Sequence, residues 1–207
     1  MLVHDVEQGS PEWFAIRAGI PTASEFDKII TSTGKASTQA EAYMHRLIAE
    51  KVTGGTCSDF DGNGWTDRGN ELEPEAVTAY EFVTDRPTEV IGFVTNDFIT
   101  YGCSPDRLVG EEGLLEVKCP AAHTHIGYLL KQEVPTAYKV QVQGQMFVCD
   151  AAWCDFISYH PQLEPLIIRV ERDPDFIQKL SDALEQFTEK MNEKYERLKE
   201  IGIVPVA

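Results

Sequence analysis

The chain has no run of the ~18 apolar residues that a membrane-crossing helix needs, so no span is expected. Its opening MLVHDVEQGS lacks a basic segment followed by an apolar one, and no export leader is expected. No Cys-x-x-Cys occurs. The five cysteines, Cys57, Cys103, Cys119, Cys149 and Cys154, are odd in number and match no common iron–sulfur spacing. That pattern fits reduced thiols in a cytoplasm. There is no internal repeat and no low-complexity tract, which excludes solenoids and linkers. Positive charge is scarce: 18 Lys and Arg against 34 Asp and Glu leave a net charge of −16. A broadly basic nucleic-acid-coating surface is therefore excluded. A local site is not, because a carboxylate cluster becomes less negative once it holds cations. Solubility is the plain reading of the remaining acidity.

What is present suits one globular domain. Hydrophobic residues make up 43% of the 207 positions and aromatics 10%. Ser10-Pro11 reads as a helix start, a hydroxyl cap followed by Pro. Thr22-Ala-Ser-Glu25 and Thr38-Gln-Ala-Glu41 read as capping boxes, each opening an amphipathic helix. The second of these helices stops at Gly54-Gly55. Residues 54–66, rich in Gly, Asp and Asn, form a loop in which DFDGNG lacks the distal Glu of a calcium loop. A helix is predicted over 67–84, and strands over 88–95, 98–104 and 114–119. Two helical segments follow, around Tyr128–Leu130 and from Pro135, then strands over 152–159 and 166–170. Asp173-Pro174 caps a long final helix. The fold class expected is α/β (α+β), a central mixed sheet flanked by helices.

Chemistry concentrates in CSPDRLVGEEGLLEVKCP, residues 103–120. Asp106 and Glu116 lie on adjacent strands joined by a short turn, where they can face each other. Lys118 shares a strand face with Glu116, and Val117 turns to the other side, leaving its backbone C=O as a further oxygen donor. Two carboxylates, a carbonyl and waters suit Mg²⁺. An ion there activates water and neutralises charge in phosphodiester hydrolysis. Lys118 orients or deprotonates the water, or steadies the developing charge; the base role requires a lowered pKa, which two nearby metals would favour. Glu73, on the preceding helix, supplies a third carboxylate, with Glu71 and Glu75 as alternatives. Read on residue type alone, Glu-x-Lys is a solvated strand face. The apolar Leu114, Leu115 and Val117 around the charges argue against that. His123 and His125 read as loop anchors. Trp13 and Trp153 read as core, and Trp65 as the tryptophan best placed to touch a nucleic acid. Tyr138 and Gln143 read as helix packing.

The chain resembles the phage lambda-type exonucleases, the YqaJ-like viral recombinase group of the PD-(D/E)xK nuclease superfamily. VEQGSPEWFAIRAGIPTASEF (6–26), RGNELEPEA (68–76), CSPD (103–106), LEVKCP (115–120) and AYKVQVQ (137–143) are similar to that family's segments, in its order, across about two thirds of the chain. The resemblance implies a restriction-endonuclease-like core in a single nuclease domain over 1–207. Residues 1–66 would be a helical part with a 5′-phosphate pocket, 67–172 the catalytic core, and 173–207 a C-terminal helix and tail. It implies a Mg²⁺-dependent 5′→3′ exonuclease, with Mn²⁺ able to substitute, digesting duplex DNA to leave 3′ single strands for recombination. Asp106, Glu116 and the Val117 carbonyl would bind metal, Lys118 would be catalytic, and Glu73 would be the upstream acid. Arg17, Ser24, Ser104 and Gln141 would hold the 5′-terminal phosphate. Without the resemblance, Arg17 reads as a surface ion pair and Ser24 as part of a helix's first turn. Implied partners are duplex DNA with a 5′-phosphate end, a single-strand annealing protein and two further copies in a ring-shaped homotrimer, in the cytoplasm of a bacterial host cell. The alternatives are an endonuclease or single-strand exonuclease on the same fold, and an acidic non-enzymatic scaffold or DNA mimic.

Overall fold

The structure, a computed structural model, is described for residues 1–55 and 64–204. Of residues 64–68 and 70 only the backbone course of their helix is included. Cys57 and the core of the DFDGNG loop lie outside the described residues, as does the Trp65 side chain.

Strand β1 (Leu2–His4) and helix α1 (Pro11–Arg17) lead into a 3₁₀ segment, Ala23–Lys28. Helices α2 (Ala40–Thr53) and α3 (Gly64–Thr84) follow. Then come β2 (Phe93–Thr95), β3 (Gly102–Cys103), β4 (Arg107–Val109) and β5 (Gly113–Lys118). Helices α4 (Ala122–Lys131) and α5 (Thr136–Cys149) connect β5 to β6 (Trp153–Ser158). Strand β7 (Leu166–Glu171) and helix α6 (Pro174–Glu200) complete the order. The fold is mixed α+β, with the strands divided between two sheets rather than one. The first is antiparallel, β1-β2-β3. The second is mixed, β4-β5-β6-β7. Among the described strand pairs, β5 and β6 are the parallel one, which is why two helices lie between them in sequence.

Two of the cap readings hold. Ser10 Oγ accepts from the Trp13 N–H at 3.2 Å, and Asp173 Oδ1 accepts from the Phe176 N–H at 3.0 Å. Neither capping box forms. Glu25 turns away to Lys28 and Arg46, and the Thr22 N–H donates instead to the Tyr43 hydroxyl at 3.2 Å, so this segment winds as 3₁₀ rather than α. Glu41 is drawn to Lys194 on α6, and α2 starts after Gln39. Strand β1 escapes the sequence reading because only three residues pair. The expected strand over 98–104 shrinks to two residues because Asn96 Oδ1 accepts from the Thr100 N–H at 2.8 Å, closing a turn that puts Ile99 at φ +53°.

The mixed sheet has a core on each face. One face carries Leu114 and Cys154 against Phe26, Val142, Met146 and Leu180. The other carries Leu115, Val117 and Ile157 against Ala76 and Tyr80 of α3. Strand alternation thus puts Leu114, Glu116 and Lys118 on the α5 side and gives Leu115 and Val117 to α3. Gly144 lets α5 lie close on the 3₁₀ segment: a Cβ there would stand 2.6 Å from the Phe26 ring. α3 is tied to β6 by the Tyr80 hydroxyl, which donates to Asp155 at 2.7 Å, while Arg169 grips the same carboxylate with two bonds of 2.8 Å.

Candidate active site

The β4–β5 hairpin builds the charged half of the site. β4 and β5 pair from Arg107↔Leu115 to Val109↔Gly113. Asp106 stands just outside that ladder, and its Oδ2 accepts from the Val117 N–H at 2.6 Å. Glu116 is 1% exposed. Its Oε1 accepts from Lys118 Nζ and from Gln141 Nε2, the latter at 2.5 Å. Its Oε2 accepts from Gln145 Nε2 at 2.6 Å. A buried carboxylate with three donors is the satisfied form that low-dielectric surroundings demand. Lys118 lies over the Tyr138 ring, 5.2 Å from its centroid, so Tyr138 faces the site rather than serving helix packing alone. Gln143 does pack: it bonds the Glu171 carbonyl and the Asp173 N–H.

Burial, followed by the charges of Glu116 and Glu73, pushes the Asp106 carboxyl well above the usual carboxylate range, against the pull of Lys118. For Lys118 burial acts downward, but Glu116 and then Asp106 outweigh it and raise the ammonium above its ordinary value. The lowered lysine pKa expected from sequence is therefore corrected: two carboxylates hold the proton on. Glu73 accepts from Arg107 Nη1 at 2.9 Å. Glu75 is engaged by the Tyr159 hydroxyl at 2.6 Å, and Glu71 is exposed. Among the three, Glu73 is the one whose charge acts on Asp106.

No group of three His, Cys, Asp or Glu able to hold a metal occurs among the described residues. The donors present are nevertheless those of a hard cation. Mg²⁺ is held by one or two carboxylates, with water and substrate oxygens completing its shell. Glu116 and Glu73 crowd Asp106 with like charge and raise its proton affinity, a crowding that a divalent ion held by Asp106 and Glu116 would relieve. The HxH does not contribute. His125 is fully buried and bonded through both ring nitrogens, to Ser158 Oγ at 2.7 Å and the Glu164 carbonyl at 2.9 Å, while His123 is exposed.

The second half of the site is a cavity of about 140 Å³ beside the hairpin. Arg17, Ser24, Ser104 and Gln141 all line it, together with Trp13, Thr22 and Gln145. The backbone reason is a bridge between Thr22 and Gly102, with the Gly102 N–H donating to the Pro21 carbonyl at 3.0 Å; it draws the 3₁₀ segment alongside β3. Arg17 is half-buried and in no ion pair with any described residue. Its guanidinium lies 4.0 Å from the Trp13 ring centroid, and Nη2 donates to Thr22 Oγ1 at 3.5 Å. Burial lowers its pKa, opposed by the more distant Glu25, Tyr43 and Glu50. Thr22 and Ser24 share a bond of 3.3 Å, and the Trp13 indole N–H donates to Ser104 Oγ at 2.8 Å.

Sequence reasoning missed Trp13, Arg107 and Gln145. Trp13 was assigned to the core, yet it carries Arg17 on its face and aims Ser104. The Trp13-x-x-x-Arg17 spacing, one helical turn, was the available signal. Arg107 anchors Glu73, a pairing across 34 residues that no local pattern shows. Gln145 follows Gln141 by one turn and binds the same carboxylate.

A family model described as the YqaJ-like viral recombinase domain matches residues 12–152. An alkaline exonuclease (LHK-Exo) from Laribacter hongkongensis is 34% identical, with 92% of this chain and 97% of that one covered and a TM-score of 0.83. A structure of LHK-Exo in complex with dAMP matches equally. A phage related exonuclease from Haemophilus somnus 129PT, 18% identical over 86% of this chain and 96% of that one, shares the fold with a TM-score of 0.69. No curated protein matches.

Proposed function

The chain belongs to the family of the YqaJ-like viral recombinase domain, and on that premise we propose that this nuclease is a Mg²⁺-dependent 5′→3′ exonuclease of double-stranded DNA that leaves 3′ single strands for recombination. One observation carries the end-specific part of the reading. Arg17 is a half-buried cation without a carboxylate partner among the described residues, set in a cavity with the hydroxyls of Thr22, Ser24 and Ser104. A buried charge is unfavourable unless matched. A terminal phosphate matches it: the guanidinium fork and neutral hydroxyl donors suit a dianion and offer it no competing carboxylate.

The geometry supports the following division of labour. Arg17, Ser24, Ser104 and Gln141 hold the 5′-phosphate and so set which bond reaches the hairpin. Asp106, Glu116 and the Val117 carbonyl hold the cation. When bound, the ion activates a water and neutralises charge at the phosphorus. Lys118, kept protonated by its carboxylate neighbours, donates to developing negative charge rather than removing a proton. Glu73, fixed by Arg107, is the third carboxylate of the site.

The acidity of the chain is compatible with this role because it is uneven. Helices α4 and α5, which follow the catalytic strand, contain no Asp or Glu and present the exposed Lys131 and Lys139. A ring of three copies around the duplex, with an annealing protein taking the 3′ strand, would retain DNA by topology where local contacts are few. No helix among the described residues is long and apolar enough to cross a membrane.

The test is a single assay. Linear duplexes with labelled 5′-phosphate or 5′-hydroxyl ends are incubated with the protein and Mg²⁺, beside closed circles and a Lys118→Ala control. Rapid loss of the 5′-phosphorylated linear DNA alone is expected. Cleavage of circles at the linear rate would replace the proposal with an endonuclease. Inactivity on every DNA would leave a scaffold.

A further inference from the structure

Gln145 is 1% exposed, yet its amide touches both halves of the site. Its Nε2 donates to Glu116 Oε2 at 2.6 Å. Its Oε1 is buried and has no hydrogen-bond partner among the described residues, and the residue lines the cavity that holds Arg17, Ser24 and Ser104. Turned round, the amide would set its oxygen against the Glu116 carboxylate oxygen and lose the bond to Oε2. The orientation is thus set by Glu116, and the other end of the amide is left with an unpaired acceptor in a residue that lines the cavity. Buried acceptors of this kind find a donor in nearly all proteins. A phosphate dianion supplies only acceptors, whereas a water supplies two donors and fits easily in about 140 Å³, being itself about 30 Å³.

We propose that Gln145 is the positioning residue that joins the two halves: its nitrogen fixes the Glu116 carboxylate for the cation, and its oxygen holds a water on the phosphate side. This rests on the nuclease reading above. The two oxygens of Glu116 have different duties. Oε1 accepts from Lys118 and Gln141, whereas Oε2 accepts from Gln145. With Oε2 held, the plane of the carboxylate is set before a cation arrives. Partners of this type, which bond a ligand rather than the metal, change metal affinity or activity by ten- to a hundred-fold when removed. Gln145 acts through Glu116 and does not reach the reacting atoms itself.

Gln145→Met retains the volume and flexibility of the side chain but removes both polar atoms, so packing is preserved while the bond to Glu116 is lost. Mn²⁺ binding is measured by titration calorimetry without DNA, beside thermal unfolding of the metal-free proteins. Steady-state kinetics follow on 5′-phosphorylated duplex. The expected result is a Mn²⁺ dissociation constant raised about ten-fold or more and a kcat lowered similarly, partly restored by excess Mn²⁺. KM for 5′-phosphorylated ends and the metal-free melting temperature stay close to wild type. Gln145→Leu is measured in parallel, so that a folding failure of one variant does not decide the matter. Unchanged Mn²⁺ affinity in a folded variant overturns the proposal, as does a kcat loss matched by a loss of metal-free stability. A wild type that binds no Mn²⁺ overturns the metal-dependent reading together with this one. Normal binding by wild type and variant alike overturns this role alone.

Discussion

Replacing Arg17 by Ala removes the cation from a cavity whose other donors are neutral. In the absence of DNA the change has two opposed effects. It abolishes a guanidinium–indole contact at 4.0 Å, of a class worth about 0.5–2 kcal/mol. It also relieves the desolvation that lowers the Arg17 pKa. The folded protein should therefore change little in stability. With a 5′-phosphate bound the balance is one-sided. Charge-assisted hydrogen bonds contribute about 1.5–3 kcal/mol each, and truncating one partner of a buried pair costs about 3–5 kcal/mol. At about 1.4 kcal/mol per factor of ten, kcat/KM on 5′-phosphorylated duplex should fall by about two to three orders of magnitude. On 5′-hydroxyl duplex it should fall by less than about three-fold, since there is no dianion to lose. Arg17→Lys keeps the charge without the fork and should fall between the two. The assay compares initial release of end label from the two duplexes at several enzyme concentrations. An equal loss on both ends would refute the reasoning and make Arg17 a general structural or catalytic residue. An undiminished preference for the 5′-phosphate would move the phosphate elsewhere.

Lys118→Ala should lower kcat by about 10²–10³-fold, the scale for one preorganised donor at developing charge, while a filter-binding assay shows DNA-end affinity intact; loss of binding instead would make Lys118 a substrate anchor. Because the Asp106 pKa is raised, the native state holds a proton that the unfolded chain has already released. Metal-free wild type should thus lose stability as pH rises from the ordinary carboxylate range through that raised value, and Asp106→Asn should remove this part of the slope. Mg²⁺ at a hundred times its dissociation constant should then stabilise wild type by about 2.7 kcal/mol, read as an upward shift in melting temperature that the Asn variant lacks; an equal shift in both would place the ion elsewhere. Gly113→Ala puts a Cβ 2.2 Å from the Trp153 ring and should destabilise the protein by about 1–3 kcal/mol in urea unfolding; a neutral result would show that the end of β5 yields.

The residues of the hairpin were legible because their grouping is local. Asp106, Glu116 and Lys118 fall within thirteen positions, and alternation along a strand assigns Glu116 and Lys118 to one face and Val117 to the other. The caps at Ser10 and Asp173 were legible for the same reason. The failed capping boxes mark the limit. Glu25 and Glu41 had the right spacing, but Arg46 and Lys194, distant in sequence, offered charged partners and won them.

The sequence by itself determined the fold class, the family and the carboxylate–lysine hairpin, since each depends on neighbours a few residues apart or on motifs retained in order. Tertiary structure alone decided the rest. It split the strands into two sheets, because pairing partners such as Leu2 and Thr95 lie far apart in the chain. It raised the proton affinity of Lys118, because two carboxylates meet it at one point and outweigh the opposing effect of burial. It brought Arg17 and Trp13 of α1 to Ser104 after β3, and Gln145 of α5 to Glu116 of β5. A cavity is a property of distances between elements, and no periodicity along a chain encodes which of its polar atoms will be left facing it.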